Sequence, residues 1–166
     1  HYCSRRQRQM CIRDSYDLGN SFYEKWLDES MTYSSAMFKN PEDNLLKGQI
    51  NKYENLANIT GVKENDKILE IGCGWGGFSS FLAKKYSANV TAITISKKQY
   101  EKAKQKIYDD KLTDKVDVKL LDYRNINGKY DKIVSIEMFE AVGEKYWSKS
   151  VSYTHLPSPR DVLRSR

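Results

Sequence analysis

Two hydrophobic periods divide the chain. Over residues 16–66, which begin YDLGNSFYEKWLDESMTYSSAMF, aromatic and polar residues mix without a strand pattern, and apolar positions recur at helical spacing at Leu45, Leu46, Ile50, Tyr53 and Leu56. This predicts a short helix near 19–27, a loop through 30–43 and a longer helix from about 43 to 59. Asn40-Pro41-Glu42-Asp43 supplies a start for the longer helix, because Pro presets the first-turn dihedral and acids favour the positive end of the dipole. Gly61 ends it.

From Lys67 the period shortens. KILEIG, NVTAITIS, VDVKLLD and YDKIVSIEMFE read as strands, with GGFSSFLAKKYS and KKQYEKAKQKIYDDKL as amphipathic helices between the first three. Strands alternating with helices of this length imply right-handed crossovers and a parallel sheet with flanking helices, an α/β, Rossmann-like architecture. After Trp147 only Ser148-Lys149-Ser150 precedes a stretch of different character. A sheet of this type needs further strands beside its fourth, so the polypeptide is expected to be a C-terminally truncated fragment, exposing a strand edge and poorly stable alone.

Composition separates the ends from the middle. Residues 16–150 carry all the lysines and a single arginine, Arg124, whereas 1–15 and 151–166 carry no lysine and the other arginines, Arg5, Arg6, Arg8, Arg13, Arg160, Arg164 and Arg166. MCIRDS at 10–15 and VSYTHL at 151–156 resemble translations of the two strands of a sequencing-library transposon adapter, so both ends are read as non-native tails and set aside from fold reasoning. Native disordered arms are the alternative. The tails' seven arginines face only Asp14 and Asp161, so they hold most of the net charge of +6. That removes the main support for a nucleic-acid partner. Setting aside Cys3, Cys11, His1 and His155 leaves Cys73 as the single core cysteine and no core histidine, which excludes a disulfide framework, a histidine metal site and a Ser-His triad. The divisions are therefore 1–15 tail, 16–66 helical lid segment, 67–150 partial nucleotide-binding domain and 151–166 tail.

The turn ILEIGCGWGG carries the candidate chemistry. Gly72, Gly74 and Gly77 satisfy the Gly-x-Gly-x-x-Gly of dinucleotide enzymes, while Gly72, Gly74 and Gly76 satisfy the Gly-x-Gly-x-Gly of S-adenosylmethionine enzymes. A dinucleotide fold needs an acid about 20 residues on to hold the ribose hydroxyls. The second strand instead finishes Ala92-Ile93-Thr94-Ile95-Ser96-Lys97-Lys98-Gln99, without a carboxylate. Glu70 just before the glycines, and Trp75 where a backbone would have to approach pyrophosphate, also favour S-adenosyl-L-methionine.

Together YDLGNSFYEKWLDESMTYSSAMF, ILEIGCGWGG, TISKKQ, LLDYR and IVSIEMFEAVGEKYW, in this order and spacing over nearly all of 16–150, resemble the cyclopropane-fatty-acyl-phospholipid synthase and mycolic acid cyclopropane synthase family of methyltransferases. The resemblance implies a Rossmann-like methyltransferase fold. It places Tyr33 and Ser34 over the cofactor in an amino-terminal lid, the turn of Glu70, Ile71, Gly72, Cys73, Gly74, Trp75 and Gly76 around the methionine portion, Thr94, Ser96 and Gln99 at the ribose, and Asp122, Tyr123 and Arg124 at the adenine. Glu140 matches the glutamate that helps hold a bicarbonate ion beside the reacting alkene.

The implied chemistry is methyl transfer to a cis double bond of an unsaturated phospholipid chain. A carbocation forms on the neighbouring carbon, and bicarbonate removes a proton to close the cyclopropane ring. The protein's part is cation stabilisation, water exclusion and positioning. Aromatic faces suit the cation, although ordinary core and lid packing is the favoured reading of any single ring, with Tyr33 the exception. The resemblance further implies a cytoplasmic enzyme working peripherally at a membrane surface, with a homodimer as a possible assembly.

The chain departs from the family where Ser35 replaces a common Cys and Ala141 a common His, both near the bicarbonate site. Ser35 still offers a hydroxyl to an anion, so the implied catalytic set is Glu140, Ser35 and Tyr33; Ser15 stands where the family has His, attributed to the tail. A chain ending at this point is expected to be inactive by itself. Cys73 reads as an inert buried thiol rather than a nucleophile, and the lysine-rich second helix as a solvated face rather than a lipid site. Three other readings stay open: a methyl-branched lipid product, a soluble nucleophile such as an amine, and a non-catalytic cofactor-binding module.

Overall fold

The computed structural model describes residues 20–138. The elements in chain order are α1 (Asn20–Tyr23), α2 (Leu45–Thr60), β1 (Lys67–Ile71), α3 (Gly77–Tyr86), β2 (Asn89–Thr94), α4 (Lys97–Asp109), β3 (Val116–Leu120) and β4 (Lys132–Ser135), with a 3-10 turn at Tyr123–Asn125. The four strands are parallel in the order β3-β2-β1-β4. Ile71 sits opposite Ile93 on one side and Ser135 on the other, so the ends of β1, β2 and β4 are level. Strand order reverses between β1 and β4, and the carboxyl ends of that pair mark the crevice where open α/β sheets bind ligands.

Alternation along β1 explains the two faces. Ile68 joins Tyr53, Phe78, Leu82, Val90, Ala92 and Ile107 in the core under the helices, whereas Leu69, Ile71 and Ile93 pack with Leu121, Tyr123, Ile126, Tyr130, Ile133 and Met138. The second face is thus covered by the connection from β3 to β4. Phe78 and Leu82 are almost fully buried, and burial of each contributes on the order of 2 kcal/mol. Along α4, Gln99, Ala103 and Ile107 are buried while the lysines point outward, as an amphipathic helix over a sheet requires.

Three expected boundaries differ. Among the described residues the short helix expected near 19–27 is helical only over Asn20–Tyr23, after which the chain turns. Helix α2 starts at Leu45, slightly later than the expected 43, because Asn44 is its N-cap, accepting from Lys47 N at 2.9 Å. Asp43 instead closes the preceding loop, taking Lys39 N, Asn40 N and Asn51 Nδ2, and the Lys39 amide leads in holding its carboxyl below the usual range. Gly61 does end the helix, in the left-handed region at φ 61°. Among the described residues, the run expected to form one long fourth strand is regular over Lys132–Ser135, and Glu137 turns left-handed at φ 46°.

Candidate active site

The turn between β1 and α3 is a backbone construction. Gly72, Gly74 and Gly76 lie at φ 78°, 54° and 80°, values a side chain would strain. The amides of Gly72 and Cys73 both donate to the Ile93 carbonyl, at 2.9 and 3.0 Å, and Gly76 N donates to Cys73 O at 2.9 Å. Gly77 plays another part, for a Cβ there would stand 2.7 Å from Tyr53 Oη and 2.9 Å from the Ser30 carbonyl. The first three glycines shape the turn; the fourth admits the segment above it.

Below the turn, Glu70 is buried and accepts from the Ser79 hydroxyl on α3. Burial pushes its carboxyl up to about 7, against the lowering pull of Ser79. Its observed part is to fix strand to helix from inside. Cys73 is buried as well, and desolvation raises its thiol, as an inert cysteine should behave.

Beside the turn, Thr94, Ser96 and Gln99 form one buried set at the end of β2. The Thr94 hydroxyl donates to Gln99 Oε1 at 2.9 Å, Ser96 N donates to Thr94 Oγ1 at 3.2 Å, and Ser96 caps α4 by accepting from Gln99 N at 3.3 Å. A preformed group of hydroxyl and amide thus stands where a dinucleotide fold would have a carboxylate. Leu121 N then ties the end of β3 to Thr94 O at 2.9 Å. Asp122 accepts from Arg124 N and Nε, both at 2.9 Å, and from Nη2 at 2.5 Å. The guanidinium is the main reason the Asp122 carboxyl is held low. Tyr123 packs toward Leu69, Ile71 and Ile93, leaving this corner edged by a neutralised pair and by backbone.

The lid segment covers the turn with aromatic rings. Tyr23 is buried, with its ring 4.9 Å from Trp75 and 5.4 Å from Tyr33; Trp26 lies 5.7 Å from Tyr33. Trp75 itself is buried and donates from Nε1 to Asn20 Oδ1 at 2.8 Å. Its side chain anchors the lid while its backbone belongs to the turn. The hydroxyls of Thr32 and Tyr53 bond to one another beside Gly77.

At the crevice, Ser34 and Ser35 are held from two sides. Gln49 Nε2 reaches Ser34 O at 2.8 Å, and Lys52 Nζ reaches Ser34 Oγ at 2.5 Å and Ser35 O at 2.8 Å. Desolvation brings Lys52 down to about 8, while Glu137 and Asp28 act in the opposite direction. From the end of β4, Glu137 Oε1 accepts both Ser35 N at 2.9 Å and Ser35 Oγ at 2.5 Å. The sequence-predicted cofactor residues therefore gather at the carboxyl ends of β1, β2 and β3, with Tyr33, Ser34 and Ser35 above them. Glu140, Ala141 and Ser15 lie outside the described residues. Sequence reasoning missed Asn20, Lys52 and Glu137, none of which is marked by local pattern. A separate cleft at the amino ends of β1, β2 and β3, lined by Lys67, Asn89, Thr113, Asp114 and Lys115, lies at the opposite end of the sheet. Among the described residues no cluster could hold a metal ion, and no helix is long and apolar enough to cross a membrane.

Residues 3–161 match the family model described as mycolic acid cyclopropane synthetase. A "probable fatty acid methyltransferase" of Pseudomonas putida is 44% identical over 77% of this chain and 33% of its own length. The cyclopropane-fatty-acyl-phospholipid synthase of Escherichia coli K12 is 36% identical over 86% of this chain and 36% of its own length. Among solved structures, the mycolic acid cyclopropane synthase CmaA1 complexed with SAH and CTAB superposes with a TM-score of 0.82 at 31% identity, covering 87% of this chain and 50% of that one. The chain thus spans about a third of the length of these curated relatives.

Proposed function

This chain belongs to the mycolic acid cyclopropane synthetase family, and from that premise we propose that it forms the cofactor-binding part of an enzyme that transfers a methyl group from S-adenosyl-L-methionine to the cis double bond of an unsaturated phospholipid acyl chain. The observation that carries this reading is the Gly72, Gly74 and Gly76 turn, roofed by Tyr23 and Tyr33 and flanked by Thr94, Ser96 and Gln99 in place of a carboxylate.

These residues fit the cofactor. The narrow glycine turn would hold the methionine end, Thr94, Ser96 and Gln99 the ribose, and Asp122, Tyr123 and Arg124 the adenine, with Tyr33 and Ser34 closing the top. Bound there, S-adenosylmethionine supplies an electrophilic methyl group. Trp75 and Tyr23 exclude water from the turn, which strengthens every charge interaction inside it. The face of Tyr33 at the rim is suited to positive charge developing on the acyl chain. Phe22, Trp26, Tyr33, Met37 and Phe38 are all exposed on the lid, an apolar surface that suits an acyl chain or the face of a membrane. The proposed setting is accordingly a peripheral one at the membrane surface, in the cytoplasm.

Bicarbonate, the base implied by the family resemblance, fits this chain less well. The Ser35 hydroxyl it would use already donates to Glu137, as does the Ser35 amide. The product is a cyclopropane if the proton leaves from the transferred methyl, and a branched chain if it does not.

The test is to incubate the full-length enzyme that contains this chain with methyl-labelled S-adenosylmethionine and vesicles of mono-unsaturated phospholipid, then weigh the released acyl chains. A gain of one CH2 unit in a chain that resists hydrogenation is expected. Label that appears only in soluble amines, or nowhere, would overturn the lipid assignment.

A further inference from the structure

Glu137, just past the end of β4, reaches the lid by two hydrogen bonds, and it does so at the residue where the family resemblance would seat an anion. A carboxylate and bicarbonate are alike in charge, in planarity and in the pair of donors they require. Here both donors of Ser35 converge on one oxygen of Glu137, and Lys52 supplies positive charge beside them through Ser34 Oγ and Ser35 O. The backbone is shaped for this. Glu137 sits in the left-handed region at φ 46°, rarely adopted by a residue with a side chain, immediately past the strand beside the switch point. Its neighbour Met138 lies against the cofactor turn, with Cγ 2.9 Å from where a Gly72 Cβ would stand, so Glu137 borders the same crevice.

Resting on the function proposed above, we infer that the Glu137 carboxylate takes the anion position beside Ser35, so that this chain supplies the base of the reaction itself and does not use bicarbonate. Once the alkene electron pair has bonded to the incoming methyl, with the methyl–sulfur bond broken and its pair left on S-adenosylhomocysteine as leaving group, the neighbouring carbon is cationic. Glu137 accepts a proton from the new methyl, the C–H electron pair forms the ring-closing C–C bond, and the resulting carboxylic acid returns its proton to water. Ser35 orients the carboxylate as base and Lys52 balances its charge between turnovers.

The experiment combines binding with turnover. The full-length enzyme that contains this chain and its E137A and E137Q variants, each first shown to bind S-adenosylhomocysteine, are titrated in CO2-free buffer with carbon-13-labelled bicarbonate and followed by line broadening. The wild type is expected to show no saturable binding and E137A to gain it, because removing the side chain vacates the Ser35 donors. With lipid substrate, wild-type turnover is expected to survive bicarbonate removal. E137A should fall by about 100-fold and recover at least tenfold with added bicarbonate or formate, in the range general-base removal produces. E137Q, which can keep the Ser35 contacts, should lose turnover without recovery, and it decides the matter if E137A loses cofactor binding. Saturable bicarbonate binding to the wild type, loss of its turnover in CO2-free buffer, or undiminished turnover by E137Q would overturn the inference. Failure of the functional reading looks different: no variant labels lipid, while the bicarbonate titration still separates wild type from E137A.

Discussion

The floor and the roof of the crevice are built by opposite means. The floor, running from Glu70 through Gly76 and on to Thr94 and Gln99, is held by strand pairing and short-range bonds among buried groups. The roof is held by side chains that meet across long stretches of sequence, Asn20 to Trp75 and Ser35 to Glu137. A floor made of backbone is fixed before any ligand arrives, whereas a roof made of a few side-chain contacts can open at modest cost. That division suits the function proposed above, in which a polar cofactor and an acyl chain would enter and water would then be excluded.

The comparison can be broken most severely at Trp75, which belongs to both halves. W75A removes a buried ring and the Asn20 partner together, and about 3–5 kcal/mol of stability should go with it in chemical denaturation, with cofactor affinity falling in parallel. Glu70 probes the floor through pH. Burial raises its folded carboxyl from the ordinary 4.5 to about 7, so the folded state holds a proton that the unfolded state has released between those limits. Stability is therefore greatest below 4.5 and falls as pH rises through about 7, by about 3 kcal/mol; E70Q should flatten that slope in denaturation curves taken across the window.

Gly77 tests how closely roof and floor touch. A methyl group there must displace Tyr53 Oη or the Ser30 carbonyl, so G77A should cost about 1–3 kcal/mol and raise protease cleavage within the lid before it affects the sheet. N20A, which leaves the Trp75 ring in place, should cost about 1 kcal/mol. The smallest effect is expected at the exposed pair of Lys102 and Glu24, 2.8 Å apart between α4 and the lid, where E24A should change the melting temperature little.

How far the sequence could be read follows the same division. The strands and helices from Lys67 to Leu120 were legible because each keeps one period and sits between glycine or polar breaks. The glycine turn and the missing carboxylate at Thr94 pointed to the cofactor, and the linked motifs pointed to the family. Trp75 reads as an obstacle to phosphate and, through the resemblance, as part of the cofactor turn, but nothing local tells that its ring is buried under the lid. Glu137 was hidden inside IVSIEMFE, which looks like one continuous strand until the backbone turns left-handed there. Lys52 lies on a helix where a lysine ordinarily means solvent. Its contacts with Ser34 and Ser35 depend on how the loop folds back, which periodicity does not encode.

The most direct test of the account is hydrogen exchange of the backbone amides with and without S-adenosylhomocysteine. Slowed exchange both in the 72–76 turn and in the 32–37 lid segment is predicted, because the ligand would rest on one and be covered by the other. Unchanged exchange at the turn would contradict the cofactor site, and protection of the turn with an unaltered lid would contradict the roof.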